Sequence, residues 1–161
     1  MRPTRLGSRP ESRKYMTHIN WSRLLIGGLI AGAVVLAIEV IFHANIKGAD
    51  WWFFRALGSP IQEARGILLY IGRYSLVGIT AVWLYTAVRP RFGPGPRTAI
   101  LTGVAYWVIG YVLPVWGLYY LILPGFREEF LRAPALVALI EIVMGTLAGA
   151  WYYKEQAYSR D

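Results

Sequence analysis

Three charged side chains stand inside long apolar stretches of this 161-residue chain. Glu39, Arg73 and Glu141 each have mostly hydrophobic neighbours on both sides. If these stretches cross a bilayer, an unpaired ion at mid-membrane costs about 2.5–3.5 kcal/mol on insertion scales, so such residues are expected to face the protein interior. Two carboxylates and one guanidinium can pair as a network, or can leave a net negative site that takes up a proton or a cation.

Each of the three charges lies six or seven residues from the end of its apolar stretch that faces one common side. At 1.5 Å per residue of helix, this spacing puts them all roughly 10 Å below the same membrane edge. His43 follows Glu39 by four residues and shares its helical face. Tyr111 and Trp116 fall near the same level, and their polar tips are predicted as neighbours of the cluster.

The elements that carry these side chains are four apolar segments. The chain is 56% hydrophobic and 16% charged, below the roughly 25% charged residues of a typical soluble domain. Each segment approaches the roughly 20 residues that cross a hydrocarbon core, and helices satisfy their own backbone groups there. We predict an all-α, four-transmembrane-helix bundle within residues 21–154, with a basic, disordered arm over 1–20 and a tail over 155–161. The predicted helices cover about residues 24–46, 67–88, 98–123 and 135–153.

The connections between the segments have their own signals. Residues 89–97 contain three prolines and two glycines, which predict a tight turn between the second and third helices. Pro114 is predicted to kink the third helix. An aromatic run in the first outer loop predicts a short interfacial helix. That run consists of Trp51, Trp52, Phe53 and Phe54.

Charge and glycine patterns predict the topology and the packing. Eleven Lys or Arg residues lie on the side of both termini and five in the opposite loops, so both termini are predicted to be cytoplasmic. Small residues spaced four apart predict closely packed helices or an oligomer. These are Gly28 and Gly32 in the first helix and Gly145 and Gly149 in the fourth.

Several functional classes find no support in the sequence. The net charge of +8 arises from residues that flank apolar segments, which is typical of membrane topology and not of nucleic-acid binding. The chain has no cysteine, and His43 is its only histidine inside a segment, so a bis-histidine haem has no second ligand. Nucleophile, phosphate-loop and metal signatures are missing from the sequence. We therefore predict no metal and no cofactor, and the sequence leans against an enzyme without excluding one.

Two stretches carry a resemblance. Residues 89–99 read RPRFGPGPRTA, and residues 27–32 read GGLIAG in a helix that also contains Glu39. The chain resembles an uncharacterised group of short bacterial four-helix integral membrane proteins that share these features. The resemblance implies the four-helix fold and a multi-pass location in the bacterial cytoplasmic (inner) membrane. It implies no activity and no functional residue.

Two hypotheses of function follow. The first is a non-enzymatic accessory or self-associating subunit, held by a Glu-Arg-Glu network and partnered by the bilayer, by its own copies or by another membrane protein. The second is a small transporter or ligand-binding protein that uses Glu39 and Glu141 as a proton or cation site. The sequence favours the first, because Arg73 can neutralise much of the site.

Overall fold

The computed structural model describes residues 19–45, 60–121 and 129–153. This part of the chain is helical. The bounds are α1 Trp21–Asn45, α2 Pro60–Phe92, α3 Pro96–Trp107, π-helical turn Val108–Val112, α4 Leu113–Leu121 and α5 Glu129–Tyr152. Four helices are long and apolar enough to cross a membrane. The third of these, called here the third span, consists of α3, the π-helical turn and α4. An all-α fold with four helices able to span a membrane is therefore confirmed.

Two helices extend beyond the apolar runs that predict them. Helix α2 begins at Pro60 and α5 at Glu129, six or seven residues before the predicted starts. Hydropathy detects the part of a helix that crosses lipid, whereas backbone hydrogen bonds continue into polar turns outside it. The predicted interfacial helix with Trp51, Trp52, Phe53 and Phe54 lies outside the described residues, as do the arm and the tail, and these stay predictions.

The turn between α2 and α3 depends on two glycines. Gly93 has a φ of 82° and Gly95 a φ of 133°, in the left-handed region that favours residues without a Cβ. The Gly93 amide donates to the Arg89 carbonyl at 2.8 Å, which closes the last turn of α2. Pro96 begins α3. In the first turn a backbone N–H makes no hydrogen bond within the helix, so proline, which lacks this group, is tolerated there. The turn sets α2 and the third span side by side in opposite directions.

The third span is interrupted by the π-helical turn immediately before Pro114. A proline inside an α-helix lacks the donor for the carbonyl four residues back, here Gly110, and its ring crowds that carbonyl. A wider turn relieves this crowding, and π-helical turns occur frequently at functional sites. The kink predicted at Pro114 thus corresponds in the structure to a local change of helix type.

Helices α1 and α2 approach each other at the two glycines of the first motif. A Cβ on Gly32 would lie 2.5 Å from the Tyr74 carbonyl oxygen, and one on Gly28 would lie 2.6 Å from the Ile79 Cα. Both obstacles are backbone atoms, which cannot rotate away. A residue with a side chain at either position would therefore push the two helices apart.

Helices α1 and α5 meet in the same way at the second motif. A Cβ on Gly145 would lie 2.8 Å from the Ala31 carbonyl oxygen, and one on Gly149 would lie 2.6 Å from the Gly27 carbonyl oxygen. Helix α1 thus lies between α2 and α5, with its backbone close to both. The third span packs mainly on α5 and less extensively on α2.

The exterior of the described helices is apolar. Trp151 is 84% exposed, Leu69 75% and Leu68 70%, as expected for side chains that face lipid. Inside, the buried Thr102 and Thr146 donate to the carbonyls four residues earlier in their own helices, at 2.7 and 2.6 Å. Their polar atoms are satisfied locally, so the bundle interior away from the charged cluster makes few polar links between helices.

Candidate functional site

The described side chains enclose a cavity of about 210 Å³ between all four spans. Glu39 of α1, Arg73 of α2 and Glu141 of α5 all line it, so the structure brings the three intramembrane charges to one site. They lie three residues before the end of the first span, nine after the start of the second and seven after the start of the fourth. At 1.5 Å per residue they are roughly 5–14 Å from the same end of the bundle.

Glu39 is held by two tyrosines of α2. The Tyr74 hydroxyl donates to Glu39 Oε1 at 2.9 Å, and the Tyr70 hydroxyl approaches the same oxygen at 3.4 Å. The two rings are four residues apart on one helical face and meet edge to face, with centroids 4.8 Å apart. The Glu39 carboxyl is thus positioned by neutral donors, which stabilise its charge without cancelling it.

Glu141 is the more deeply buried of the two acids, with 4% of its surface exposed. Its carboxyl lines the same cavity as that of Glu39. A carboxylate can only accept, so a hydrogen bond between these two carboxyls would require a proton on one of them. Glu141 Oε1 has no hydrogen-bond partner in the described part of the chain. The site therefore offers one buried acceptor that a donor could satisfy.

Arg73 contacts the ring of Tyr74. Its Cζ lies 5.3 Å from the centroid of that ring, a cation–π distance. The side chain lines the cavity and is also exposed at the outer surface of the bundle. The three charges thus border one cavity, and their pairing as a Glu-Arg-Glu network stays a prediction.

The predicted neighbours of the cluster have different positions. Tyr111 lines the cavity, together with Tyr106 of α3. Trp116 is 61% exposed and lies outside this lining. Residues five apart on a regular α-helix point in directions roughly 140° apart, which agrees with Tyr111 lining the cavity and Trp116 facing outward. The His43 side chain lies outside the described residues, and its place beside Glu39 stays a prediction.

Sequence reasoning missed the tyrosine pair that holds Glu39. Tyr70 and Tyr74 flank Arg73 with the spacing of one helical turn, in the order Tyr-x-x-Arg-Tyr. Phenol donors beside a membrane-embedded charge are a signal for polar pairing. Their partner is 31 and 35 residues away in sequence, so the signal could indicate the pairing but not the acceptor.

No family model, curated protein or solved structure matches this chain. The chemistry of the site is therefore argued from its own groups. Among the described side chains, no three His, Cys, Asp or Glu residues cluster as they would around a metal ion. What the cavity offers is a pair of carboxyls, one guanidinium and a set of phenols.

Proposed function

We propose that this chain is a small multi-pass membrane protein that binds a proton or a small cation at Glu39 and Glu141, as a transporter or a ligand-binding protein. One observation carries the proposal. Two carboxyls from separate helices line one cavity inside the bundle, while the only guanidinium that lines it among the described residues contacts a tyrosine ring. Two acids and one base leave a net negative site, which a single positive charge would balance.

The size of the cavity limits the ligand. At about 210 Å³ it is smaller than the roughly 300–1,000 Å³ of sites for drug-sized molecules. It suits a hydrated ion, a small ammonium compound or the headgroup of a larger molecule. In the absence of a ligand, one proton shared by the two carboxyls would lower the cost of burying them. An arriving cation would displace that proton, and the two binding events would be coupled.

The location proposed for the protein is a bacterial cytoplasmic membrane, with both termini in the cytoplasm. The excess of Lys and Arg on the side of the termini supports this orientation. The carboxyl pair would then lie in the outer half of the bilayer, closer to the periplasm. A ligand would arrive from the outer leaflet or the periplasmic side.

The test uses the full chain reconstituted in lipid vesicles. A panel that includes methylammonium and ethylammonium is offered under a proton gradient, and proton efflux and cation uptake are followed together. In the unliganded protein, infrared difference spectroscopy detects a protonated carboxyl through its C=O band. We expect Glu141→Gln to remove that band and the cation response, because the amide cannot bind or release a proton.

The matched control is Glu155→Gln, which makes the same chemical change in the segment after the fourth span. It should leave both signals as in the wild-type protein. A wild-type protein with neither a protonated carboxyl nor a response to any cation would contradict the proposal. An equal response of Glu141→Gln and Glu155→Gln would contradict the assignment of the site.

A second candidate function is an accessory or self-associating subunit. The observation that favours it is a surface groove between α2 and the third span in which Arg73 and Thr80 are exposed. A helix of a partner or of a second copy would cover these polar groups in a membrane. Light scattering of the protein in mild detergent tests this, since a defined mass above that of one chain and its micelle would support it.

A further inference from the structure

The groove between α2 and the third span adjoins the cavity. It has a volume of about 490 Å³ and opens toward the outside of the bundle. Its walls are apolar except near Arg73, Thr80 and Tyr106. The cavity and the groove share Arg73, Val77 and Tyr106 as lining residues. These three side chains therefore border both the cavity and the groove.

The groove extends along α2 on both sides of Arg73. From Arg73 to Thr80, the part farther from the nearby membrane edge, it is roughly 10 Å long at 1.5 Å per residue. This part can hold the first portion of an acyl chain, which is the apolar molecule that a bilayer supplies. Gly72, on the other side of Arg73, has no heavy atom within 4 Å of the position of a Cβ, so this part of the groove is open.

The charges at the groove specify a headgroup. Arg73 is exposed within the groove, where its guanidinium can bind an anion from the lipid side in addition to facing the two carboxyls of the cavity. Guanidinium groups bind phosphate through several hydrogen bonds at once. Just behind it lie the Glu39–Glu141 pair and the unpartnered Glu141 Oε1. A ligand that moves from the groove toward the cavity would therefore meet apolar side chains first, then Arg73 and then the two carboxyls.

We infer that the ligand of the carboxyl pair is a phospholipid with a primary ammonium headgroup, which enters sideways through this groove. Its acyl chain lies along α2, its phosphate binds Arg73, and its ammonium reaches Glu39 and Glu141. Because the phosphate offsets the charge of Arg73, the ammonium balances one carboxylate and the other acid keeps its proton, whereas a simple cation would displace that proton. This inference rests on the proposed function, because it identifies the cation as part of a lipid. The groove explains how a molecule larger than the cavity presents only its headgroup to the two acids.

The headgroup must be a hydrogen-bond donor. A primary ammonium carries three N–H groups, which can satisfy Glu141 Oε1 and Glu39 together. A quaternary ammonium has the same charge but donates no hydrogen bond, and a glycerol headgroup has no positive charge. A charged hydrogen bond at a buried site is strong enough to favour the primary ammonium by about tenfold or more.

Native mass spectrometry of the full chain in detergent tests the inference. The protein is titrated with phosphatidylethanolamine, phosphatidylcholine and phosphatidylglycerol that carry the same acyl chains. We expect phosphatidylethanolamine to bind about tenfold or more tightly than either of the others. Glu141→Gln should reduce the affinity for phosphatidylethanolamine to that for phosphatidylcholine. Arg73→Gln should weaken the binding of all three lipids.

A matched pair of variants tests the route through the groove. Gly72→Leu places a side chain in the groove, whereas Gly117→Leu places the same side chain at a site that also has no heavy atom within 4 Å but does not line the groove. Gly72→Leu should lose most phosphatidylethanolamine binding and keep the binding of ethylammonium, which does not need the groove. Gly117→Leu should behave like the wild-type protein in both assays.

The possible outcomes distinguish the lipid inference from the proposed cation site. Equal affinities for the three lipids would overturn the lipid inference, and bound ethylammonium in the same protein would leave the proposed cation site intact. Loss of both ethylammonium binding and the protonated carboxyl would overturn the proposed function as well. A dimer that Gly72→Leu dissociates would show that a second copy occupies the groove, and would overturn the lipid inference alone.

Discussion

The close approach of α1 and α2 makes a quantitative prediction at Gly32. In Gly32→Ala the new Cβ would lie 2.5 Å from the Tyr74 carbonyl oxygen and 3.0 Å from the Ser75 Cα. Ordinary contact begins near 3.4 Å. Both neighbours are backbone atoms, so the helices have to separate or rotate by roughly 1 Å, and a gap of this size forfeits about a quarter to a half of the attraction of each atom pair.

The matched control is Gly72→Ala on α2, where nothing lies within 4 Å of the new Cβ. Replacing glycine by alanine inside a helix contributes up to about 1 kcal/mol of stability through helix propensity. That contribution is common to both variants and cancels in their difference. The remaining contribution to the difference in unfolding free energy is overpacking, which typically costs about 1–3 kcal/mol. We therefore expect the free energy of unfolding of Gly32→Ala to be lower than that of Gly72→Ala by about 1–3 kcal/mol.

The assay is reversible unfolding in mixed micelles, with a denaturing detergent as titrant and helicity as the signal. The reasoning would be refuted if the two variants differed by less than about 0.5 kcal/mol, the usual range for surface substitutions. Gly32→Ala should also weaken cation binding. It displaces α1 relative to Tyr74, whose hydroxyl holds Glu39 at 2.9 Å.

Two further predictions concern other parts of the molecule. Gly93→Ala introduces a Cβ at a φ of 82°, which should lower the free energy of unfolding by about 1–2 kcal/mol. The same unfolding assay measures this loss. An unchanged unfolding midpoint would mean that the turn relaxes to another conformation. For the topology, the cysteine-free chain allows single cysteines without background, as Ser8→Cys and Gly58→Cys. A membrane-impermeant maleimide should label Gly58→Cys in intact cells and Ser8→Cys only after lysis, and the reverse pattern would invert the orientation.

The sequence was a good guide to which residues meet and a poor guide to how they meet. Equal depth in separate helices was enough to predict that Glu39, Arg73 and Glu141 share one level, and all three line one cavity. Depth follows from the helical rise and needs no knowledge of packing. Whether Arg73 lies between the acids or beside them depends on helix rotation. Successive side chains point in directions roughly 100° apart around the helix axis, so a modest rotation of the helix exchanges one contact partner for another.

What the sequence determined by itself is the number of spans and the positions of their charges. Both follow from the cost of exposing polar groups to lipid, which acts on each segment separately. The tertiary structure alone decided that Tyr70 and Tyr74 hold Glu39, that the two carboxyls line one cavity and that a groove opens beside Arg73. The spacing of the glycines in the sequence predicted close packing, and the structure shows which backbones they approach, those of α1, α2 and α5. The partners of each side chain depend on the rotation of all the helices at once, which the local spacing does not specify.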